Sequence, residues 1–337
     1  MSSRSLPVPL RILGTGTFTP GRRVESTEFD ARWRKPAGWT QRHTGIDHRH
    51  HATADETTSA MAAHAAREAL DRAGLQARDL DLVVSACSVM EQAIPCSAVF
   101  VHRRLGLEGT GIAAFDVNAT CLSFLAALDM VACMLAAGRL ERALIVSSEI
   151  ASAGLNWDDP DSAPLFGDGA AAVVVSRAPA DSRSQLLAAH METYSEGAEL
   201  CRVRAGGTRL RVADDMDAYR DAARFEMAGK ATYRLAAQLL PGYLARLFGR
   251  AGVTLDDLDA FVPHQASDKA LAHLQHALRL PEDRLVRILS THGNQMAASI
   301  PTALHRAIDA GRIVRDDLVA LVGSGAGLSF GGAVLRY

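Results

Sequence analysis

The stretch Asp116-Val117-Asn118-Ala119-Thr120-Cys121-Leu122-Ser123-Phe124 lies at the junction of two apolar segments. Residues 111–117 are strand-like, and residues 122–137 are apolar on nearly every face, which is typical of a buried helix. We therefore expect Cys121 where a strand passes into a central helix, beside unpaired N–H groups that favour a reactive thiolate. The alternative is a buried structural cysteine, because cysteine is among the most buried residue types.

Composition limits the class of protein. The chain has 337 residues, which favours two domains or halves, and its formal net charge of -2 gives no electrostatic case for nucleic acid or an anionic membrane. The five cysteines show no CxxC spacing, which argues against a disulfide framework or a zinc site. Residues 1–7 lack the apolar segment of a signal peptide, and no uncharged apolar run reaches membrane-spanning length. We predict a cytoplasmic protein.

Strands and helices are predicted to alternate along the chain. A strand at 9–15 is followed by a polar stretch at 17–50 that reads as irregular, and a loop of this length tends to be functional. A capping-box pattern at 53–56 predicts a helix that ends at about Ala73. A long helix at 225–250 is expected to be interrupted at its Pro-Gly pair.

Two pairs of segments repeat in the same order. Residues 72–84 are similar to residues 250–262, and residues 137–146 are similar to residues 310–320. A single match would be explained by the common residues of helix–Gly–strand junctions. Two matches at similar offsets indicate duplication of one α/β unit.

The duplication predicts a chain of two halves. We place the first at residues 1–176, with Cys121, and the second at residues 187–337, with a polar Ala/Pro/Ser-rich segment between them. Alternating strands and helices predict α/β layers whose sheets are buried on both faces.

Three polar residues follow predicted apolar elements: Cys121, His264 and Asn294. Ligands gather at the carboxyl ends of strands in α/β sheets, and a cysteine close to a histidine is the arrangement of a nucleophile and its partner. Each residue alone also has a structural interpretation. A histidine at a strand end is more often a capping or core residue, and Asn294 after Gly293 is more often a turn residue.

Three motifs carry a family resemblance. They are Asn118-Ala119-Thr120-Cys121, Val262-Pro263-His264-Gln265-Ala266, and the run from His292-Gly293-Asn294 to Ile300-Pro301. With these motifs the chain resembles β-ketoacyl-acyl-carrier-protein synthase III, a decarboxylating condensing enzyme of the thiolase superfamily, over nearly its whole length. Further matches are Trp39 with Thr44-Gly45-Ile46, Phe166-Gly167-Asp168-Gly169-Ala170, and the glycine-rich tail at 325–331.

The resemblance implies a thiolase-like, five-layered αβαβα fold with two pseudo-repeated halves, usually a homodimer. It implies acyl-coenzyme A or acyl-carrier thioesters as substrates and acyl carrier protein as partner, with no metal or organic cofactor. The implied role is in fatty-acid or polyketide-like metabolism.

The resemblance also implies roles for individual residues. Cys121 would take an acyl group from the primer. His264 and Asn294 would donate hydrogen bonds to the carbonyl of a malonyl thioester and stabilise the enolate formed as carbon dioxide leaves. The oxyanion of the acyl-transfer steps would rest on the backbone N–H groups of Cys121 and Ala326.

Substrate contacts are implied for five positions, and two of them depart from the family pattern. The positions are Trp39, Arg42, His43, Ile94 and Phe166. His43 stands where the family has an arginine that helps to hold coenzyme A, and a second arginine usual before the Phe-Gly-Asp-Gly segment is missing. Because bidentate phosphate recognition is not easily replaced, these departures favour a primer delivered by a carrier protein, and delivery by coenzyme A stays open. Ile94 stands where the family often has a bulky aromatic residue, so we expect room for a longer or branched acyl chain. Glu91 is either a further base or a loop carboxylate.

Two other functions remain open on this scaffold. A non-decarboxylating acyltransferase is disfavoured by the joint presence of His264 and Asn294, and a non-catalytic partner subunit is disfavoured by Cys121. A thiolase is disfavoured because the tail has no second cysteine, and a serine hydrolase because no G-x-S-x-G elbow is present.

Overall fold

The computed structural model describes residues 5–337. Its strands are β1 (Val8–Pro9), β2 (Arg11–Phe18), β3 (Arg22–Glu25), β4 (His48–His51), β5 (Leu82–Ser85), β6 (Ala113–Asp116), β7 (Arg142–Glu149), β8 (Gly169–Ser176), β9 (Gln185–Thr193), β10 (Cys201–Arg202), β11 (Glu226–Met227), β12 (Ala260–Pro263), β13 (Leu318–Gly325) and β14 (Ser329–Arg336). Its α-helices are α1 (Ser26–Arg32), α2 (Trp39–Thr44), α3 (Thr58–Ala73), α4 (Ser97–Arg104), α5 (Ser123–Ala136), α6 (Met216–Ala222), α7 (Gly229–Ala251), α8 (Asp268–Leu278), α9 (Leu289–His292) and α10 (Ser299–Asp309).

Two five-stranded sheets carry most of the strands. The first has the order β2-β8-β7-β5-β6, and the second has the order β1-β9-β14-β13-β12. The first sheet has two parallel pairs, β5 with β6 and β5 with β7, and the second sheet has one, β12 with β13. The remaining short strands form two-stranded ribbons, β3 with β4 and β10 with β11.

The sheets and helices stack in five layers. One core cluster packs α3 and α4 against the outer face of the first sheet. A second and larger cluster fills the space between the two sheets with the apolar faces of α5 and α10. A third packs α7 and α8 on the outer face of the second sheet. The predicted αβαβα architecture is therefore confirmed, and its middle layer explains why residues 122–137 are apolar on nearly every face.

The repeated sequence segments occupy equivalent places in the two halves. Helix α3 ends at Gly74 before β5, and α7 ends at Gly252 before β12; both glycines have φ of +68°. A residue with a Cβ is strained at this left-handed φ, so the same helix end requires glycine twice. The second repeat likewise joins α5 to β7 and α10 to β13.

The polar segment between the halves links the two sheets. β8 ends at Ser176 in the first sheet, and β9 begins at Gln185 in the second. The N-terminal strand β1 also joins the second sheet, where Val8 pairs with Leu186. The division into residues 1–176 and 187–337 stays a prediction.

The interpretation of residues 17–50 as irregular was wrong. The stretch contains β3, α1, α2 and β4. Its order depends on contacts distant in sequence: the guanidinium of Arg49 is fully buried, donates to the carbonyl of Pro164 at 2.6 Å, and lies 4.6 Å from the ring centroid of Phe29. Such contacts cannot be read from local propensity, because they form only when the chain folds.

Two helix boundaries also differ from the prediction. Helix α3 begins at Thr58, capped by Thr57, while the Glu56 carboxylate accepts the N–H of Thr53 in a separate turn. Helix α7 continues through Pro241 without interruption. The apolar face that follows the proline packs onto the second sheet, and this burial outweighs the lost helical hydrogen bond. Among residues 5–337, no helix has both the length and the apolar character needed to cross a membrane.

Candidate active site

Cys121 lies on a tightly braced turn between β6 and α5. The Asn118 Oδ1 accepts the N–H of Thr120 at 2.9 Å, and the Ser123 hydroxyl accepts the N–H of Ala119 at 2.9 Å while it donates to the carbonyl of Thr120 at 2.6 Å. Thr120 has φ of +52°, an unfavourable value for a β-branched residue. Strain of this kind is held only where neighbouring bonds determine the backbone, and here it presents the thiol at a fixed place.

The end of β13 brings the predicted site residues together. A Cβ on Gly323 would lie 3.1 Å from the Cβ of His264 and 2.9 Å from Leu122, the neighbour of Cys121. A Cβ on Gly325 would lie 2.7 Å from the hydroxyl of Thr120, on the other side of Cys121. Because these two positions of β13 are glycines, both His264 and the cysteine turn can pack directly against the backbone of β13.

The Cys121 thiol is not the stabilised thiolate that the sequence predicted. Helix α5 begins at Ser123 with Leu122 as N-cap, so Cys121 lies outside its first turn. Although the residue is only half-buried, its thiol lies among protein atoms, and burial together with the charge of Glu149 raises the pKa of Cys121 to about 12. These effects outweigh the N–H groups of Cys121 and Ala326, which pull the pKa downward.

The same two N–H groups are the predicted oxyanion donors. The backbone N–H of Cys121 and that of Ala326, just beyond β13, both act on the sulfur. An acyl group on this sulfur would carry its carbonyl oxygen into their reach. Their role as an oxyanion hole stays a prediction.

His264 is a buried, neutral imidazole at the end of β12. Burial lowers the pKa of His264 to about 4, and its Nδ1 has no hydrogen-bond partner among residues 5–337. Its backbone N–H donates to the carbonyl of Val322 at 2.8 Å. The side chain of the next residue, Gln265, donates to the carbonyl of Pro263 and accepts the N–H of Ile288, which also fixes the backbone here. The ring can therefore donate a hydrogen bond without carrying charge at neutral pH.

Asn294 is held with its amide NH₂ towards the histidine loop. Its Oδ1 accepts the N–H of Met296 at 2.9 Å, which assigns the opposite end of the amide as the donor. Its Nδ2 lies 3.5 Å from the carbonyl of Ala266, two residues beyond His264. One Nδ2 hydrogen is thus only weakly engaged and remains available to a ligand.

Phe166 is packed within the chain, next to Asn294. The residue is buried and its ring packs edge-on against Phe225 at 5.0 Å. On either side of it, the carbonyl of Leu165 accepts the N–H of Asn294 at 2.7 Å, and Gly167 donates to the carbonyl of Asn294 at 3.1 Å. The predicted contact of Phe166 with substrate stays a prediction.

Three predicted substrate residues form one surface cluster at α2. The rings of Trp39 and His43 are stacked with centroids 4.8 Å apart, and His43 Nε2 lies 3.2 Å from the carboxylate of Asp161. The Arg42 guanidinium donates to the carbonyl of Ala37 at 3.2 Å. His43, which stands where the family has an arginine, is thus engaged in an intramolecular stack, and the neighbouring Arg42 makes a local backbone contact.

Ile94 does not line a pocket of its own chain. Its side chain is 84% exposed on the loop that precedes α4. Because a loop residue is buried only when something covers it, the predicted role of Ile94 at the end of the acyl pocket stays a prediction. Glu91 on the same loop accepts the N–H of Ser59 at 2.6 Å and supports the start of α3, which is a structural use of its carboxylate.

Two neighbours of Cys121 were not predicted from the sequence. Glu149 and Cys201 both lie close enough for their charges to raise the pKa of the Cys121 thiol. Glu149 could have been found, since it follows a run of buried apolar residues at the carboxyl end of β7, the edge where ligands bind. Cys201 lies on β10, a short strand with no periodic signal. Within residues 5–337, no three His, Cys, Asp or Glu side chains are grouped so that they could hold a metal ion.

Comparison with known proteins relates this site to one family. A family model described as 3-Oxoacyl-[acyl-carrier-protein (ACP)] synthase III matches residues 115–195, and the model of its C-terminal part matches residues 248–337. A beta-ketoacyl-[acyl-carrier-protein] synthase III from Sphingopyxis alaskensis is 36% identical over 96% of this chain and 97% of its own. The protein of the same name from Laribacter hongkongensis is 34% identical over 97% and 99%.

Solved structures give the same relationship. The 3-oxoacyl-(acyl carrier protein) synthase III from Pseudomonas aeruginosa superposes with a TM-score of 0.87 at 32% identity, covering 98% of each chain. The enzyme of this name from Aquifex aeolicus superposes with a TM-score of 0.87 at 30% identity, covering 97% of this chain and all of its own. The fold is thus shared over 97–98% of this chain.

Proposed function

Because the chain belongs to the 3-oxoacyl-[acyl-carrier-protein] synthase III family, we propose that it performs the decarboxylative Claisen condensation of an acyl thioester primer with a malonyl thioester. The reaction passes through an acyl group on Cys121. The observation that carries the proposal is the approach of the Cys121 turn and the His264 strand at the end of β13, together with the contact of Asn294 with Ala266, two residues beyond His264. The relatives with this name support an acyltransferase of the condensing type.

In the first step Cys121 accepts the primer. The sulfur–carbon bond to Cys121 forms, the primer thioester bond breaks, and the thiol proton leaves on the released carrier thiol. The transient oxyanion is stabilised by the N–H groups of Cys121 and Ala326. Because the pKa of Cys121 is about 12, the thiol is protonated at rest and ionises only as the acyl group is transferred.

In the second step the malonyl thioester loses carbon dioxide. The electron pair of the breaking carbon–carbon bond passes into the thioester carbonyl, whose oxygen accepts hydrogen bonds from His264 and Asn294. Neutral His264 and the uncharged amide remain donors throughout, since neither depends on protonation at physiological pH. The enolate carbon then attacks the acyl-Cys121 carbonyl and releases the sulfur as a thiolate, which takes up a proton from water. Since the thioester itself takes the electrons, the proposed reaction requires neither metal nor organic cofactor.

The proposed primer is delivered by acyl carrier protein. His43 is engaged with Trp39 and with Asp161, and Arg42 bonds Ala37, so no arginine fork is held ready for the phosphates of coenzyme A at α2. A carrier protein brings its own contacts and needs no such fork. We also propose acyl carrier protein as the donor of the malonyl group.

A homodimer is part of the proposal. β6 is an edge of the first sheet in the described chain, and an unpaired edge can be extended by a strand of a second copy. Beside it the N–H groups of Ser97 and Ala98 bond the carboxylate of Asp116, which holds the preceding loop near this edge. That loop exposes three apolar side chains, Val89, Met90 and Ile94. A second copy would cover them, and Ile94 would then face a pocket of the partner.

The proposal is tested by following acylation and decarboxylation separately. The wild type is mixed with acyl-coenzyme A or acyl-carrier donors, and the mass increment on the intact protein is recorded, followed by release of labelled carbon dioxide from malonyl-carrier protein. We expect a faster increment with the carrier donor, and none in Cys121→Ala. His264→Ala and Asn294→Ala should keep the increment but release carbon dioxide at least about 100-fold more slowly, because each removes a donor to the developing charge.

The exposed His276 on α8 provides the matched control, since His276→Ala should leave both rates unchanged. Loss of acylation with decarboxylation retained would contradict the assigned roles. Transfer of the acyl group without release of carbon dioxide would favour the non-decarboxylating acyltransferase.

A further inference from the structure

Glu149 is a fully buried carboxyl group that the proposed reaction does not use. It is the last residue of β7 and has no exposed surface. Its Oε1 accepts the N–H of Ser88 at 2.5 Å, whereas its Oε2 has no hydrogen-bond partner among residues 5–337. A buried acceptor without a partner is costly, so its retention calls for an explanation.

The carboxyl group joins the two loops that carry the site. On one side, the backbone carbonyl of Ser88 accepts a hydrogen bond from the side-chain amide of Asn118 at 3.1 Å. The loop held by Glu149 is therefore bonded to the cysteine turn. The carbonyl of Cys87 in the same loop accepts the hydroxyl of Ser123 at 3.1 Å. On the other side, β7 packs against the segment that carries Ala297, and the backbone N–H of Ala297 faces the carboxyl of Glu149 and pulls its pKa downward.

Ala297 lies three residues after Asn294, in the one-turn 3-10 helix Met296–Ala298. One side chain therefore fixes the support of the nucleophile and the support of the enolate donor relative to each other. Displacing it would change both supports at once.

The charge of Glu149 acts directly on the nucleophile. Burial raises the pKa of Glu149 to about 8, so the carboxyl is largely neutral at pH 7. When ionised, it raises the pKa of Cys121 and that of Cys87. The other titratable groups around these thiols are Cys201 on β10, which acts on Cys121, and Asp116 on β6, which acts on Cys87. His264 faces the pocket from β12 as a neutral ring.

We propose that Glu149 is a positioning residue of the condensing site. Its neutral carboxyl holds the Cys121 turn and the Asn294 loop in place and permits Cys121 to ionise. Its charged carboxylate suppresses the reactivity of Cys121. The link to condensation rests on the proposed function, but the effect on the thiol does not. Over the cycle the Cys121 proton leaves on the released carrier thiol, and the thiolate released after condensation takes a proton from water, so Glu149 neither gains nor loses a proton.

The test measures the reactivity of the thiol without substrate. Cys121 is alkylated with iodoacetamide between pH 6 and 10, and its rate is followed by intact-protein mass, with Cys121→Ala to identify the modified site. In the wild type the rise of the rate with pH should flatten above about pH 8, because ionised Glu149 opposes the thiolate. In Glu149→Gln, which keeps the shape and the acceptor for Ser88, the flattening should vanish and the rate at pH 9 should be about tenfold higher, the effect of one unit of pKa.

A nearby carboxylate provides the control. Glu91→Gln removes a charge from the loop before α4, where the carboxylate bonds Ser59, and should leave the alkylation profile unchanged. If Glu149→Gln does not fold, the wild-type profile decides alone, since a straight rise through pH 8 to 10 contradicts the proposal. Identical profiles for wild type and Glu149→Gln also overturn it.

Condensation is measured in the same variants. Glu149→Ala, which removes the brace, should lower kcat at least about tenfold with little change in KM for the malonyl thioester, while Glu149→Gln should lower kcat less. A wild type that forms no condensation product but shows the flattened alkylation profile would contradict the proposed function and leave the effect of Glu149 on the thiol in place. A normal wild-type condensation rate with an unchanged kcat in Glu149→Ala would overturn the positioning role.

Discussion

The reactivity of a single cysteine here is set by atoms distant in sequence. The turn that carries Cys121 is local, but the pKa of its thiol is raised by burial and by Glu149, and is lowered by the N–H of Ala326. The backbone of Thr120 is held at φ of +52°, and its hydroxyl is buried without a partner in the described chain. A small change opposite this turn should therefore affect catalysis more than stability.

Gly325→Ala tests the fixed position of the thiol. The new Cβ would lie 2.7 Å from the Thr120 hydroxyl, so the turn must move by several tenths of an ångström. We expect acylation of Cys121 to slow about 100-fold, the cost of misplacing a reacting group. The measurement is the rate of the mass increment, with Gly207→Ala as control because its Cβ would meet nothing within 4 Å. Acylation at the wild-type rate would show that the turn tolerates the methyl group.

At the scale of elements, helix-to-sheet distance is fixed by residues without side chains. Helix α3 lies so close to β2 that a Cβ on Gly16 would fall 2.3 Å from the carbonyl oxygen of Ala65 and 2.6 Å from the N of Ala69. Both atoms belong to the helix backbone and cannot rotate away. The alanine-rich face of α3 and the glycines of β2 are thus two parts of one close contact.

The same substitution should have opposite effects in a strand packed against a helix and on the exposed face of a helix. Gly16→Ala forces α3 away from β2 and should lower the free energy of unfolding by roughly 3 kcal/mol, the upper end of the usual overpacking cost. Gly249→Ala lies in the exposed part of α7 with nothing within 4 Å and should raise it by about 0.5–1 kcal/mol, because alanine is the better helix former. Urea denaturation followed by circular dichroism measures both. A Gly16→Ala midpoint at or above that of the wild type would contradict the close-contact account.

For the whole molecule, the edge strand β6 and the apolar loop that precedes α4 together offer a surface for a second copy. Edge strand β6 and the loop that carries Ile94 lie on the same side of the first sheet. A second copy that extends the sheet at this edge would pair the free backbone groups of β6 and bury the apolar side chains of the loop.

We therefore expect a mass near twice 35.9 kDa in sedimentation velocity for the wild type. Ile94→Asp places a charge in the expected interface and should shift the protein towards the single-chain mass, because an unpaired buried charge is unfavourable. Val314→Asp is the matched control, since Val314 is also exposed (53%) but lies away from this edge, in the segment before β13. A wild-type mass of one chain, or dissociation by Val314→Asp alone, would contradict this interface.

The sequence determined the layered fold, the family and the candidate residues. Strand and helix periodicity and the glycine helix ends repeat in both halves, and they act through local sterics that are encoded residue by residue. The motifs around Cys121, His264 and Asn294 likewise stand in short contiguous runs. Such features depend on near neighbours, so they can be recognised before the chain is folded.

Only the tertiary structure decided the environment of those residues. It ordered residues 17–50 around the buried Arg49, put Ile94 on the surface, and buried the thiol of Cys121 in the neighbourhood of Glu149. That burial is the main reason why the expected thiolate is a protonated thiol. Solvation and charge–charge interactions depend on distances through space, and these distances join segments that are far apart along the chain. No local pattern contains them, which is why the sequence identified the nucleophile but not its state.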